Sequence, residues 1–380
     1  MTVFPVINYS LQRPTHRGDF RIAVICALPL EASAVQLLFD VCWNDVDYGK
    51  APGDTNVYTT GRMGHHNVVL AHMPGMGKCM AASVASSLRS SYPGIQLALL
   101  VGVCGGVPFV KEEGEEEEIL LGDVAISEGI VQYDLGRRFP DKFVRRDTVR
   151  DNLGRPNAEI RSFLAMLKTM EGRKRLQERT SRHLALLRDN AGVVYPGRDK
   201  DKLFDSSYRH KHQDLSTCEL CANCRQKKDP VCYKALNSTC QQLKCDEKML
   251  VPRRRLIEAS RDQHILDPIV HFGLIASGDT VVKSGQDRDE IAAREGVIAF
   301  EMEGAMVWDT FPCVVIKGVC DYADSHKNKE WQNYAAATAA ACMKAFLEQW
   351  RVTDEFLTGA GPSKQSSPIY HRPLLWSKER

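Results

Sequence analysis

Residues 21–28 (RIAVICAL), 67–73 (NVVLAHM) and 96–103 (QLALLVGV) are short runs apolar at nearly every position, rich in β-branched residues. Such runs read as strands buried on both faces. Each leads into a turn. Pro29 ends the first run, and residues 30–40 (LEASAVQLLFD) then carry apolar side chains at helical spacing, which places Glu31 at a strand-to-helix junction. Residues 74–78 (PGMGK) make a turn before a helix rich in small residues over 81–91, and the third run enters Gly105 and Gly106. Strand returns at 122–126, 271–276, 297–300 and 313–319, and a long alanine-rich helix is predicted over 331–350. Strand and helix in alternation predict an α/β fold around a mostly parallel sheet covered on both faces.

The alternation breaks between about 141 and 267, where the chain turns basic, polar and cysteine-rich around a helical piece over 160–169. The simplest organisation is an N-terminal extension over 1–20, one domain over 21–352 carrying this stretch as an insertion, and a tail or linker over 353–380. The acidic run 112–118 reads as a solvated loop. A hydrophobic fraction of 43% supports a sizeable core, and a net charge of +2 sets up no field towards nucleic acid or a membrane. No apolar run approaches the ~20 residues of a membrane span, and residues 1–20 lack the apolar core of a secretion signal. A cytoplasmic location is therefore expected. Of 13 cysteines, Cys26, Cys104, Cys313 and Cys320 lie in strand-like runs as small hydrophobes. Six others (Cys218, Cys221, Cys224, Cys232, Cys240 and Cys245) crowd the polar insertion. Four thiolates there would hold a structural zinc; disulfides and free thiols stay open as alternatives, and six cysteines for four positions leave no ligand set assigned.

Four segments taken in order resemble the nucleoside phosphorylase and nucleosidase superfamily. They are 22–32 (IAVICALPLEA); 99–108 (LLVGVCGGVP) with 121–127 (LGDVAIS); 277–282 (SGDTVV) with 300–305 (FEMEGA); and 315–326 (VIKGVCDYADSH). No segment is specific alone; their order and spacing are. The likeness is strongest to methylthioadenosine/adenosylhomocysteine nucleosidase-like purine nucleosidase domains, which often sit at the N-terminus of larger signalling proteins. It implies a three-layer α/β/α fold with a mixed, partly barrel-like central sheet, assembled as a homo-oligomer. The implied activity is an N-ribohydrolase acting on a purine nucleoside or nucleotide, with no cofactor, nucleic acid or membrane involved. A phosphate-dependent phosphorylase and a catalytically idle nucleotide-sensing module are the rival readings. The long insertion departs from the compact bacterial enzymes.

Breaking an N-glycosidic bond builds positive charge on the ribose and negative charge on the departing purine. Asp321 follows an apolar strand, where α/β active sites form, and the resemblance gives it the proton or hydrogen bond to the purine N7. A helix cap or surface acid is its ordinary alternative. Glu303 is assigned the ribose 2′ and 3′ hydroxyls, with Met302 against the sugar; alone, Glu303 would suit a helix dipole. Glu301 fits a salt bridge or a helix start equally well. Glu31 decides the reaction type. Nucleosidases use a glutamate after this opening turn to activate water, whereas phosphorylases place a phosphate-binding arginine there. Leu100 and Val103 likewise stand where hexameric phosphorylases present an arginine and a serine. Base recognition is expected near Val282, with Val281 and Val282 as an apolar wall, Gly105 allowing close approach, and Asp279 orienting the loop or meeting the base edge.

Other features are discounted. PGMGK lacks the full phosphate-loop spacing, and Cys79 follows Lys78, so it reads as a structural turn. His65, His66, His210 and His212 lack a metal-binding helix pattern and read as surface or packing residues. The basic runs 173–175 and 253–255 read as solvated faces, either of them able to approach a 5′-phosphate.

Overall fold

A computed structural model describes residues 13–43, 45–112, 114–214, 216–259 and 266–352. The expected tail over 353–380 and most of the N-terminal extension lie outside the described residues. Along the chain run β1 (Ile22–Cys26), α1 (Pro29–Gln36), β2 (Val41–Cys42), β3 (Val57–Met63), β4 (His66–His72), α2 (Lys78–Ser91) and β5 (Leu97–Gly106). Then come β6 (Phe109–Glu112), β7 (Glu115–Glu118), β8 (Val124–Gln132), β9 (Gly136–Arg138), β10 (Phe143–Arg145), α3 (Ala158–Lys168) and α4 (Met170–Ala191). The cysteine-rich stretch holds α5 (Glu219–Asn223), α6 (Tyr233–Leu236) and α7 (Cys240–Leu243), and α8 (Arg254–Ala259) follows. The chain returns to the sheet through β11 (Val270–Ser277), α9 (Gly285–Glu295), β12 (Val297–Glu301), α10 (Gly304–Thr310), β13 (Cys313–Asp321) and α11 (Gln332–Leu347).

Nine strands form one sheet in the order β12-β11-β8-β13-β5-β1-β4-β3-β2, and β12 also pairs with β5. That second pairing, Ala299 with Gly106 and Phe300 with Gly105, closes five strands into a barrel. The sheet is mixed: β1 runs parallel to β4 and β5, and β13 is parallel to β5 but antiparallel to β8. Every residue of β1, β12 and β13 is buried, as expected of strands covered on both sides. Helices α1 and α11 cover one face, while α2 and α10 pack together on the other. Residues Tyr334 to Leu347 of α11 are all buried, because α4 lies over the outer side of that helix. The three-layer α/β/α arrangement with a partly barrel-like sheet is thus present. No helix among the described residues is long and apolar enough to cross a membrane.

Two expectations are corrected here. The acidic run is no solvated loop but the β6–β7 hairpin, ending in the buried Glu118. Glu118 accepts the backbone N–H groups of Arg254 and Arg255, each at 2.8 Å. The basic run 253–255 is likewise no solvated face. Arg253 is 3% exposed and donates to the Tyr322 hydroxyl (2.9 Å) and to the carbonyls of Pro108 (2.9 Å) and Ile119 (2.7 Å). Arg255 pairs with Asp123. A buried guanidinium is costly without hydrogen-bond and charge partners; here two carbonyls flanking the hairpin and the Tyr322 hydroxyl take its terminal N–H groups, and Glu118 lies 3.7 Å from Nε.

Candidate active site

The site grows from the ends of β1, β5, β12 and β13. Pro29 starts α1 at its first position, and Glu31, two residues later, turns its carboxylate back over the helix start. Oε2 accepts the N–H groups of Ala27 and Leu28 at 2.9 Å each, while Oε1 accepts the N–H of Val103 in β5 at 2.8 Å. Glu31 therefore does cap its helix, yet it is also 2% exposed and faces the neighbouring strand. Only a glycine fits beneath it, since a Cβ on Gly102 would lie 2.2 Å from Oε1. Burial raises the Glu31 carboxyl above its ordinary range, against the pull of Lys317 and of the Val103 and Leu28 N–H groups.

Lys317 sits in the middle of β13, 1% exposed by its side chain, with Nζ 3.2 Å from Glu303 Oε2 and 3.7 Å from Glu301 Oε2. Burial opposes its charge, but Glu303, Glu31 and Glu301 together outweigh that and hold it protonated well above the ordinary lysine value. Glu301 plays both of its expected parts. It pairs with Lys317 and also accepts the N–H groups of Glu303 (3.0 Å) and Gly304 (2.9 Å) at the start of α10. Glu303 is the residue before that helix, and its Oε1 accepts the Gly77 N–H at 3.2 Å. Met302 beside it is half-buried.

Asp321 closes β13 in register with Gly105 of β5, two residues beyond the Val103 that holds Glu31. At about 3.3 Å per strand residue, those two backbone positions stand about 7 Å apart. Asp321 Oδ1 accepts the Ala323 N–H at 2.8 Å, and Oδ2 lies 3.0 Å from Lys327 Nζ. Ala323 adopts φ +50°, a backbone region uncommon for alanine, so the chain reverses sharply behind the carboxylate. Gly105 permits this, because a Cβ there would come within 2.9 Å of Ala323 Cβ and 3.0 Å of Asp321 Oδ1.

Asp279 is held between the turn over 74–78 and Asp134. Its carboxylate accepts the Lys78 N–H at 2.7 Å, and its own N–H donates to Asp134 at 2.8 Å. Val282 is half-buried on the cluster that includes Val107, Tyr133, Phe300 and Ala323, whereas Val281 is 47% exposed. The turn over residues 74–78 holds more than its sequence suggests. Gly77 donates to Glu303, and Lys78 Nζ pairs with Asp134 at 2.6 Å, so the turn ties the Asp279 loop to the Glu303 helix.

The structure thus joins Glu301 and Glu303 through Lys317, whose charge also acts on Glu31, Asp321 to Gly105 by strand register, and Asp279 to Glu303 through the Gly77–Lys78 turn. Sequence reasoning missed Lys317, Asp134 and Gly77. Lys317 did leave a signal, a lone charge inside the apolar run CVVIKGV, but nothing local to Asp134 marks it.

Two side-chain groups outside this site have metal-ligand chemistry: His210, Cys240, Cys245 and His326, and separately Cys218, Cys221 and Cys232. His210 is buried rather than a surface residue. All 13 cysteines are free thiols.

The closed mixed barrel within an α/β/α sandwich, with carboxylates gathered at its strand ends, defines the fold class of this domain. Residues 21–177 match the phosphorylase superfamily model, and the chain carries the fold of the nucleoside phosphorylase and nucleosidase superfamily. It is 30% identical over 345 residues to a nucleotide-binding leucine-rich repeat (NLR)-like protein of Hyaloscypha variabilis, covering 89% of this chain and 30% of that one. It is 29% identical over 115 residues to the 5′-methylthioadenosine/S-adenosylhomocysteine nucleosidase of Mycobacterium bovis, covering 30% of this chain and 39% of that one. It is 31% identical over 100 residues to the aminodeoxyfutalosine nucleosidase of Helicobacter pylori, covering 24% and 42%. The matches span less than half the length of each of these relatives.

Proposed function

We propose that this chain is a purine N-ribohydrolase, with water rather than phosphate as nucleophile. The observation that carries this reading is the buried group of Glu31, Glu301 and Glu303 around Lys317. Three carboxylates to one ammonium favour a ribose acquiring positive charge and repel a phosphate dianion. Glu31 accepts three backbone hydrogen bonds, and a carboxylate has about four lone-pair directions, which leaves one for a water proton. Its raised pKa brings it nearer to neutrality, where a general base works best. In the step proposed, water oxygen bonds to the anomeric carbon and gives its proton to Glu31. The bond from that carbon to the purine nitrogen breaks with its electron pair leaving on the base, and Asp321 supplies a proton or hydrogen bond at N7. Glu303 takes the ribose hydroxyls, Met302 lines the sugar, and Gly105 and Val282 border the base, with Asp279 holding the loop. No cofactor enters this scheme.

The domain proposed covers residues 21–352, with 141–267 inserted, an extension over 1–20 and a tail or linker over 353–380. We expect a cytoplasmic homo-oligomer, checked by light scattering and by imaging of the tagged chain. A second reading, a nucleotide-sensing module within a larger protein, is favoured by the alignment to 30% of an NLR-like protein. One experiment separates them. The purified chain is given a panel of purine nucleosides and nucleotides, and released base and sugar are measured with and without phosphate. Free base and ribose at a phosphate-independent rate are expected. Ribose-1-phosphate as main product would overturn the hydrolase, and binding without turnover would favour the sensor.

A further inference from the structure

We infer that His210, Cys240, Cys245 and His326 form a zinc site that ties the cysteine-rich insertion to the chain segment following Asp321. The four ligand atoms all lie within 4.8 Å of one another, and four of their separations match the edges of a zinc tetrahedron. His210 Nδ1 and His326 Nδ1 are 3.3 Å apart, Cys240 Sγ lies 3.5 Å from His326 Nδ1 and 3.7 Å from His210 Nδ1, and Cys245 Sγ is 3.8 Å from His210 Nδ1. Zinc bonds of about 2.3 Å to sulfur and about 2.05 Å to nitrogen, at tetrahedral angles, require edges of about 3.4 Å between two nitrogens and about 3.6 Å between nitrogen and sulfur.

The second nitrogen of each ring settles which atom faces the centre. His210 Nε2 is 2.8 Å from the Ser238 carbonyl, and His326 Nε2 is 3.1 Å from the Tyr208 carbonyl. A carbonyl only accepts, so each Nε2 carries a proton, and in the neutral ring each Nδ1 then turns a lone pair inwards. Two lone pairs facing each other at 3.3 Å beside two thiols is an arrangement that a cation stabilises, and backbone carbonyls on the far ring nitrogens are the usual outer support of metal-bound histidines. His326 is also fixed from its face, stacked on Phe204 with ring centroids 4.2 Å apart.

The insertion has need of such a link. Within its cysteine-rich part, 218–245, the buried cluster is Cys221, Ala235 and Leu243, too little apolar surface to order three helices of four or five residues. Metal binding would supply that folding free energy. His326 is the ligand with a consequence beyond the insertion. It lies five residues after Asp321, and its own N–H donates to the buried Asp324 at 2.9 Å. The ion therefore anchors the strand-end loop as well as the insertion. The Cys218, Cys221 and Cys232 group supplies three thiolates in a separate place, and serves as the comparison.

The test uses the full chain and does not depend on any catalytic activity. Metal analysis of wild type and of a Cys240→Ser/Cys245→Ser variant should differ by about one zinc per chain, while Cys218→Ser/Cys221→Ser should keep that ion. Cobalt substitution of the wild type should give the intense visible absorption of tetrahedral cobalt–thiolate coordination, and the milder His326→Gln should shift or remove that signal. Chelation followed by hydrogen exchange should raise exchange in residues 322–331 together with the insertion. Metal-free wild type, or equal metal in wild type and the Cys240/Cys245 variant, would overturn the site. Chelation that loosens 218–245 while leaving 322–331 protected would overturn the link.

Discussion

Lys317 Nζ stands 3.2 Å from Glu303 Oε2 with both side chains out of water, so a residue of the strand β13 fixes the carboxylate at the head of the helix α10. Strand and helix head are thereby held at one distance by a charge pair, in a place where neither charge is stable alone.

Lys317→Met tests that dependence. The apolar side chain fills similar space and leaves Glu303 and Glu301 without their cation. Removing one partner of a buried pair typically costs ~3–5 kcal/mol, and the urea midpoint should drop accordingly. A loss below about 1 kcal/mol would mean that the carboxylates do not rely on the lysine.

Gly102→Ala puts a methyl group 2.2 Å from Glu31 Oε1, and the carboxylate must leave Val103. If Glu31 is the base, base release should fall by roughly 10²–10⁴, the range for a positioned acid–base group, to about the level of Glu31→Gln. Far-ultraviolet circular dichroism should stay native. Activity within twofold of wild type would remove Glu31 from the chemistry.

Glu303→Ala should harm ribosides more than 2′-deoxyribosides, because the deoxy sugar offers one hydroxyl fewer to the lost carboxylate. Steady-state kcat/KM on matched substrate pairs reads this directly. An equal loss on both would give Glu303 a structural role only.

The pair His271 and Asp123 predicts how stability varies with pH. They lie 3.0 Å apart, both 2% exposed by their side chains. Burial works against the charge on His271, but Asp123 and Glu117 push its pKa up from 6.5 to about 9. Burial likewise opposes the charge on Asp123, yet Arg255 and His271 bring its pKa down from 3.8 to about 2. The His271 contribution is therefore full below pH 6.5 and is lost as pH rises through about 9. That of Asp123 is full above pH 3.8 and is lost as pH falls through about 2. Thermal melts should show a declining basic limb between those histidine values, shallower in His271→Gln. An unchanged limb in the variant would show that His271 is not its source.

The alternation of apolar runs and turns in this sequence was enough to determine the α/β class and the strands at each end of the chain. Apolar periodicity reports local burial, and burial on both faces of β1, β5 and β13 is a local property. The same holds for Glu31, whose place at a strand-to-helix junction follows from Pro29 and the flanking pattern. The helical piece over 160–169 matches α3, whereas α4 went unread, its buried Leu176, Thr180, Leu184 and Leu187 being diluted within a polar stretch of 22 residues.

What only the tertiary structure decided is which polar groups meet. Lys317 reaches Glu303 because β12 follows β11 at one end of the strand order and also closes onto β5, the neighbour of β13. Glu118 became buried rather than solvated because Arg253 and the start of α8 come back to it across more than a hundred residues. His210 read as a surface or packing residue and His326 carried no reading of its own, until the fold set their rings side by side. In each case a buried charge or lone pair is tolerated only through a partner distant in sequence, and that partner is set by strand order and register, which no local window contains.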